Sequence, residues 1–150
     1  MEELKTEITI QASAQEIWTI LTDFPKYSAW NPFIPKITGI PKVGNQLTIQ
    51  ITPPGSRSMT FNPTVTQSQQ NKIFQWSGHL LVPGIFDGIH TFTLQPITSE
   101  RTRLIHKEIF TGLLVPLLWK SLNTNTRQGF EQMNQHLKQE SERLSSHISA

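Results

Sequence analysis

Gly112-Leu113-Leu114-Val115-Pro116-Leu117-Leu118-Trp119-Lys120-Ser121-Leu122-Asn123-Thr124-Asn125-Thr126-Arg127-Gln128-Gly129-Phe130-Glu131-Gln132-Met133-Asn134-Gln135-His136-Leu137-Lys138 governs the rest of the chain. Placed at 100° per residue, Val115, Leu118, Trp119, Leu122, Thr126, Gly129, Phe130, Met133 and Leu137 form one stripe. Lys120, Thr124, Arg127, Gln128, Glu131, Gln135 and Lys138 fall on the opposite side. That periodicity predicts a long amphipathic helix with one buried face. Gly112 releases the preceding chain, and Pro116 sits in a first turn, where proline is tolerated. A helix of this length needs a broad apolar partner. Almost everything between Leu47 and Phe110 reads as strand, so the expected partner is a sheet.

Working outward, Leu4, Ile8 and Ile10 alternate with Lys5, Glu7 and Thr9, the pattern of a half-buried first strand with Thr6 as its weak inward position. Ser13-Ala14-Gln15-Glu16 matches a capping box and predicts a short helix over Ala14–Thr22 that buries Ile17, Ile20 and Leu21. Tyr27-Ser28-Ala29-Trp30 reads as one further turn, stopped at Asn31-Pro32 because the residue before proline avoids the helical region. Beyond Phe33, short extended pieces follow, punctuated by Pro35, Gly39, Pro41 and Gly44. Leu47, Ile49 and Ile51 share a parity. Met59, Phe61 and Val65 share one on what reads as a single strand, with Pro63 as an edge or bulge. Phe74 and Trp76, then His90, Phe92 and Leu94, then Leu104, His106, Glu108 and Phe110 mark the inward faces of the last strands. The expectation is one α+β domain over residues 1–150: a bent antiparallel sheet of about seven strands wrapped around the long helix, with two short helices after the first strand and a frayed end. Such a sheet encloses space against the helix, the default place for a ligand.

Composition narrows the function. Charged residues are only 16% of the chain, and the formal net charge of +2 is scattered rather than clustered, which argues against a nucleic-acid partner. There is no cysteine, so disulfides, thiolate catalysis and cysteine-held metals are excluded. Met1-Glu2-Glu3-Leu4-Lys5 lacks a signal peptide's apolar core, and the longest apolar run is far short of a membrane span. A cytoplasmic setting is expected, with transient contact with a membrane surface left open.

The segments Asp23-Phe24-Pro25-Lys26-Tyr27-Ser28-Ala29-Trp30-Asn31-Pro32-Phe33-Ile34, Thr102-Arg103-Leu104-Ile105-His106-Lys107-Glu108-Ile109-Phe110-Thr111-Gly112-Leu113-Leu114-Val115-Pro116 and Arg127-Gln128-Gly129-Phe130-Glu131-Gln132-Met133-Asn134 occur in an order that resembles the START-related superfamily, also called SRPBCC or polyketide cyclase/dehydrase-like, which includes the pollen-allergen ligand binders. The resemblance covers nearly the whole chain. It implies a helix-grip fold with a hydrophobic cavity between sheet and helix. Members include lipid and hormone carriers and polyketide cyclases, so the fold leaves the activity open. The resemblance brings no catalytic motif shared by all members.

Trp30, Phe33, Phe61, Phe74, Trp76, Phe92, Phe110, Trp119 and Phe130 fall on inward faces or near the helix. They are candidates to line a cavity for a hydrophobic small molecule, against the plain alternative of core packing. His90, His106 and Glu108 share inward parity on neighbouring strands; a turn centred on Ser99 sets His90 opposite Glu108, and a register shifted by two sets it opposite His106. A carboxylate facing apolar space must find a partner or take up a proton. Four readings stand: a structural polar network, a ligand anchor, an acid–base pair in which histidine polarises a carbonyl while Glu108 moves a proton, and a two-histidine carboxylate metal site, the last unsupported by other ligands. No Gly-rich phosphate loop and no His-Glu-x-x-His spacing occurs, so no cofactor and no metal are expected. His79, His136 and His147 read as solvated, and Arg103 as a surface charge. Leu80-Leu81-Val82-Pro83-Gly84-Ile85-Phe86 reads as an apolar loop with no strand to join. It would serve as a lid over the cavity mouth with Pro53-Pro54-Gly55-Ser56, as a segment folded onto the core, or as the docking point of a protein partner. Binding or transport of a hydrophobic small molecule is the leading expectation, with a cyclase or dehydratase acting on a carbonyl substrate as the alternative.

Overall fold

A computed structural model describes residues 1–149, with side chains through residue 147. The chain begins with β1 (Glu2–Ile10), α1 (Ala14–Thr22), a 3-10 turn (Phe24–Lys26) and α2 (Tyr27–Trp30). Ser13 caps α1 as the sequence requires. Its hydroxyl accepts from the Glu16 amide at 3.1 Å, and the Glu16 carboxylate accepts from the Ser13 amide at 2.9 Å. Then come β2 (Lys36–Thr38), β3 (Thr48–Ile51), β4 (Met59–Phe61), β5 (Thr64–Gln69), β6 (Ile73–Leu80), β7 (Phe86–Thr98) and β8 (Arg101–Thr111). The C-terminal helix follows as α3 (Val115–Ser121), a π-helical turn (Leu122–Thr126) and α4 (Arg127–Ser149).

The strands form two antiparallel sheets, a five-stranded one in the order β1-β8-β7-β6-β5 and a three-stranded one in the order β2-β3-β4. This corrects the single run expected from Met59 to Val65. Pro63 has no amide to donate, and the chain changes sheets there, with β4 on β3 and β5 on β6. The stretch around residues 44–47 stitches the sheets together: the Gly44 and Leu47 amides donate to the Val65 and Pro63 carbonyls, at 2.9 and 2.8 Å. The division at Pro63 raises the expected seven strands to eight among the described residues, and β2 (Lys36–Thr38) lies within the short extended pieces expected after Phe33.

The C-terminal helix carries its apolar stripe against the sheet, where Val115, Phe130, Met133 and Leu137 are at most 2% exposed. The π turn lies in Leu-Asn-Thr-Asn-Thr, a run of weak helix formers in which the Thr124 hydroxyl bonds back to the Lys120 carbonyl at 2.8 Å. An inserted residue there shifts the helical phase. Leu118, expected on the buried stripe, is therefore exposed, and Trp119, Leu122 and Thr126 are only half-buried. Helix α4 also continues past Lys138 to Ser149, held to β1 by Arg127 and Lys138 donating to the Lys5 and Thr9 carbonyls. Gly112 adopts φ +122°, and a Cβ there would lie 2.5 Å from the Ile85 carbonyl oxygen, so only glycine turns the chain from β8 into α3.

Leu80 and Phe86 are not loop residues: they pair across the β6–β7 hairpin, whose tip is residues 81–85. The tip is tied down rather than free. The Leu113 amide donates to its Gly84 carbonyl and the Leu114 amide to its Ile85 carbonyl, both at 3.0 Å, and the Asp87 carboxylate accepts from the Gly84 amide. Leu81 and Val82 point to solvent. No helix among the described residues is long and apolar enough to cross a membrane.

Candidate functional site

A cavity of about 90 Å³ lies between the two sheets and the C-terminal helix. Its apolar wall includes Phe33, Ile49, Phe61, Trp76, Phe86, Phe110 and Leu122, and its polar side chains are Glu108, His79 and Thr126. Met59 and Pro53 of the β3–β4 hairpin also line it. Glu108 enters from the middle of β8, directly opposite His90 of β7, the register that a turn at Ser99 predicts. Its carboxyl group lies over Gly88, where a Cβ would sit 2.3 Å from Oε2. The missing side chain at Gly88 leaves the carboxylate its place. Its side chain is 16% exposed, against 1% for that of His90.

Behind Glu108 runs a continuous hydrogen-bonded chain. Glu108 Oε1 lies 3.2 Å from His90 Nδ1, His90 Nε2 lies 2.7 Å from His106 Nε2, and His106 Nδ1 lies 2.8 Å from Asn134 Oδ1. Asn134 Nδ2 donates to Thr6 Oγ1 at 2.8 Å, and Thr6 Oγ1 donates to the His106 carbonyl at 3.0 Å. His90, His106 and Asn134 are at most 2% exposed. Burial, with the neighbouring His90 second, holds His106 well below the usual histidine range, so it is neutral. The rings are fixed by stacking: His106 lies flat on Phe130, with centroids 4.0 Å apart at 3°, and His90 stacks on Trp76 at 4.7 Å. Trp76 also lines the cavity, so the indole is the wall and His90 lies on its far side.

Of the residues singled out in the sequence, Phe33, Phe61, Trp76, Phe110 and Glu108 line the cavity. His90, His106, Phe92 and Phe130 form the layer behind it, in mutual ring contact. Phe74 packs instead with Trp18 and Phe24, and Trp30 with Tyr27, away from the lining. Trp119 is half-buried on α3 and does not line the space either. His79, read as solvated, stands exposed at the mouth. Arg103 pairs on the surface with Glu7. His90 Nε2 and His106 Nε2 are 2.7 Å apart, a hydrogen-bond distance, whereas a tetrahedral ion with metal–nitrogen bonds of about 2.0–2.1 Å sets two nitrogens about 3.3–3.4 Å apart.

Asn134 was missed. The signal was present: it follows Phe130 by four and precedes Leu137 by three, a polar side chain on the buried stripe. Its partner Thr6 is the buried polar residue of β1 and pairs in register with His106.

Comparison with known proteins agrees with this architecture. Residues 1–142 match the family described as polyketide cyclase / dehydrase and lipid transport. The chain belongs to that family. Among solved structures, the Zhui aromatase/cyclase from Streptomyces sp. R1128 superposes with a TM-score of 0.78 at 15% identity, over 95% of this chain and 94% of that one. A START superfamily protein from Mycobacterium smegmatis gives 0.74 at 22%, over 95% and 98%. A point mutant of norcoclaurine synthase from Thalictrum flavum gives 0.71 at 13%, over 93% of each. At these identities the likeness is one of fold. A search among curated proteins finds no match.

Proposed function

We propose that the chain binds an apolar small molecule in the cavity between its sheets and the C-terminal helix, with Glu108 as the polar contact. The observation that carries the reading is a cavity walled mainly by apolar side chains into which one carboxylate projects. Pockets for drug-sized ligands run to roughly 300–1,000 Å³. The space of about 90 Å³ takes a group the size of an aromatic ring, and a longer ligand needs the wall to give. Met59 at the mouth is 44% exposed and free to do so. The domain is taken to act as one unit in a cytoplasmic setting. Native mass spectrometry of the protein as purified, followed by titration with single-ring hydrocarbons, tests the reading. A bound molecule displaced by the Phe61→Trp substitution, which fills the cavity, supports it. Unchanged binding in that variant refutes it.

A second reading, acid–base chemistry on a carbonyl compound, is favoured by the hydrogen bond between Glu108 and the buried His90. The similar folds include proteins titled aromatase/cyclase and norcoclaurine synthase. In that case Glu108→Gln lowers turnover by roughly 10²–10⁴-fold while affinity changes little. In a carrier the same substitution lowers affinity instead.

A further inference from the structure

The hydrogen-bonded chain behind Glu108 has a direction. A backbone carbonyl only accepts, so the Thr6 hydroxyl spends its single proton on the His106 carbonyl. Thr6 Oγ1 must then accept from Asn134, which turns the Asn134 amide nitrogen toward Thr6 and its oxygen toward His106. The oxygen demands a proton on His106 Nδ1. A neutral His106 is left with a lone pair on Nε2, so His90 must donate from its own Nε2 across 2.7 Å. His90 Nδ1 then faces Glu108 Oε1 at 3.2 Å, and one proton has to lie between them. It sits either on His90, giving an imidazolium against a carboxylate, or on Glu108, giving a carboxylic acid against a neutral ring.

Removing that proton sets a lone pair against a carboxylate oxygen. Reversing the whole chain avoids this and leaves Glu108 a plain carboxylate. The reversal fails at one contact, where Thr6 Oγ1 would present a lone pair to the His106 carbonyl at 3.0 Å. Thr6 is therefore the residue that sets the polarity, and Asn134 transmits it through two bonds.

We propose that this directed chain confines one shared proton to the Glu108–His90 pair, so that the cavity presents a pair of zero net charge and takes an uncharged apolar molecule bearing a hydroxyl group. The proposal rests on the reading of the cavity as a ligand site. A pair of zero net charge does not compensate the desolvation of an ammonium or a carboxylate. It does satisfy a neutral hydrogen-bond donor, because Glu108 Oε2 accepts a hydrogen bond whether the proton between Oε1 and His90 Nδ1 lies nearer the ring or nearer the carboxyl group. In this account Thr6 and Asn134 are positioning residues, not ligand contacts.

Two measurements test it. Histidine ¹⁵N NMR of the free protein reads the tautomers directly: His106 carries its proton on Nδ1 and none on Nε2, and His90 is protonated on Nε2. A proton on His106 Nε2 in the unmodified protein overturns the proposal. Thr6→Val removes the anchoring hydroxyl at nearly constant volume, and the tautomer pattern is expected to change while the fold, read by backbone shifts, stays; an unchanged pattern in this variant also overturns it. The second measurement titrates five probes with one ring in common: toluene, benzyl alcohol, acetophenone, benzylamine and benzoate. The alcohol is expected to bind at least tenfold more tightly than the ketone, the ammonium and the carboxylate. Benzylamine binding as tightly as the alcohol overturns the shared proton but leaves the ligand site standing. Failure of all five, toluene included, overturns the ligand site and the ligand class together, while the NMR pattern still reports the proton independently.

Discussion

Gly129→Ala sets two opposed effects against each other. In an ordinary exposed helix position, alanine in place of glycine stabilises by about 1 kcal/mol. Gly129 is buried in α4, and a Cβ there would lie 2.2 and 2.4 Å from Phe33 Cδ1 and Cε1 and 3.1 Å from Cγ. Carbon atoms pack at about 3.5–4.0 Å, so the ring must move by about 1 Å or more. It has little freedom, being 1% exposed and edge-on to Phe130 with centroids 5.5 Å apart. Overpacking of this kind costs about 1–3 kcal/mol, and the upper half applies to a ring held on several sides. The expected net loss is about 1–2 kcal/mol, read as a lower urea midpoint at constant slope. Phe33→Leu in the same background removes the clash, so the double variant should be more stable than the sum of the single losses predicts. Because Phe33 lines the cavity, Gly129→Ala should also weaken ligand binding. A Gly129→Ala protein more stable than the parent would refute the close packing of α4 on Phe33.

Phe130→Ala should cost about 3–5 kcal/mol, since the ring is fully buried and stacked on His106, whereas Gln128→Ala on the solvent face should stay within about 0.5 kcal/mol by thermal melting. Ser13→Ala should cost about 1 kcal/mol by loss of the capping box, with the deficit confined to α1 in amide exchange. His106 titrates well below its ordinary value when folded. The unfolded chain therefore binds the extra proton as pH falls below about 6.5, and the folded state does not. Stability should then drop on acidification, by up to about 1.4 kcal/mol per pH unit until the folded value is reached. Urea unfolding with a flat midpoint between pH 6.5 and 5.5 would show that His106 is not buried neutral.

Short-range pattern was sufficient for much of this protein. The 3.6-residue stripe from Gly129 to Leu137 fixes the sheet-facing side of α4, because apolar spacing determines which face is removed from water. Alternation along β8 determines that Leu104, His106, Glu108 and Phe110 turn inward together. Alternation alone leaves His90 opposite either Glu108 or His106, and the assembled β7–β8 hairpin takes the first register. Other features depended on groups distant in sequence. The break at Pro63 becomes a change of sheet only because residues 44–47 are there to bond the far side. The π turn rotates Leu118 into solvent, and a uniform 100° period does not foresee an inserted residue. Parity puts an aromatic side chain on the inner face without saying how deep it lies. Phe61 therefore reaches the cavity while Phe92 and Phe130 stay behind it. The direction of the polar chain is the clearest case. It is set where Thr6, His106 and Asn134, 128 residues apart at the extremes, meet across β1, β8 and α4. Hydrogen-bond polarity is a property of the assembled contacts, and no local pattern in the sequence contains it.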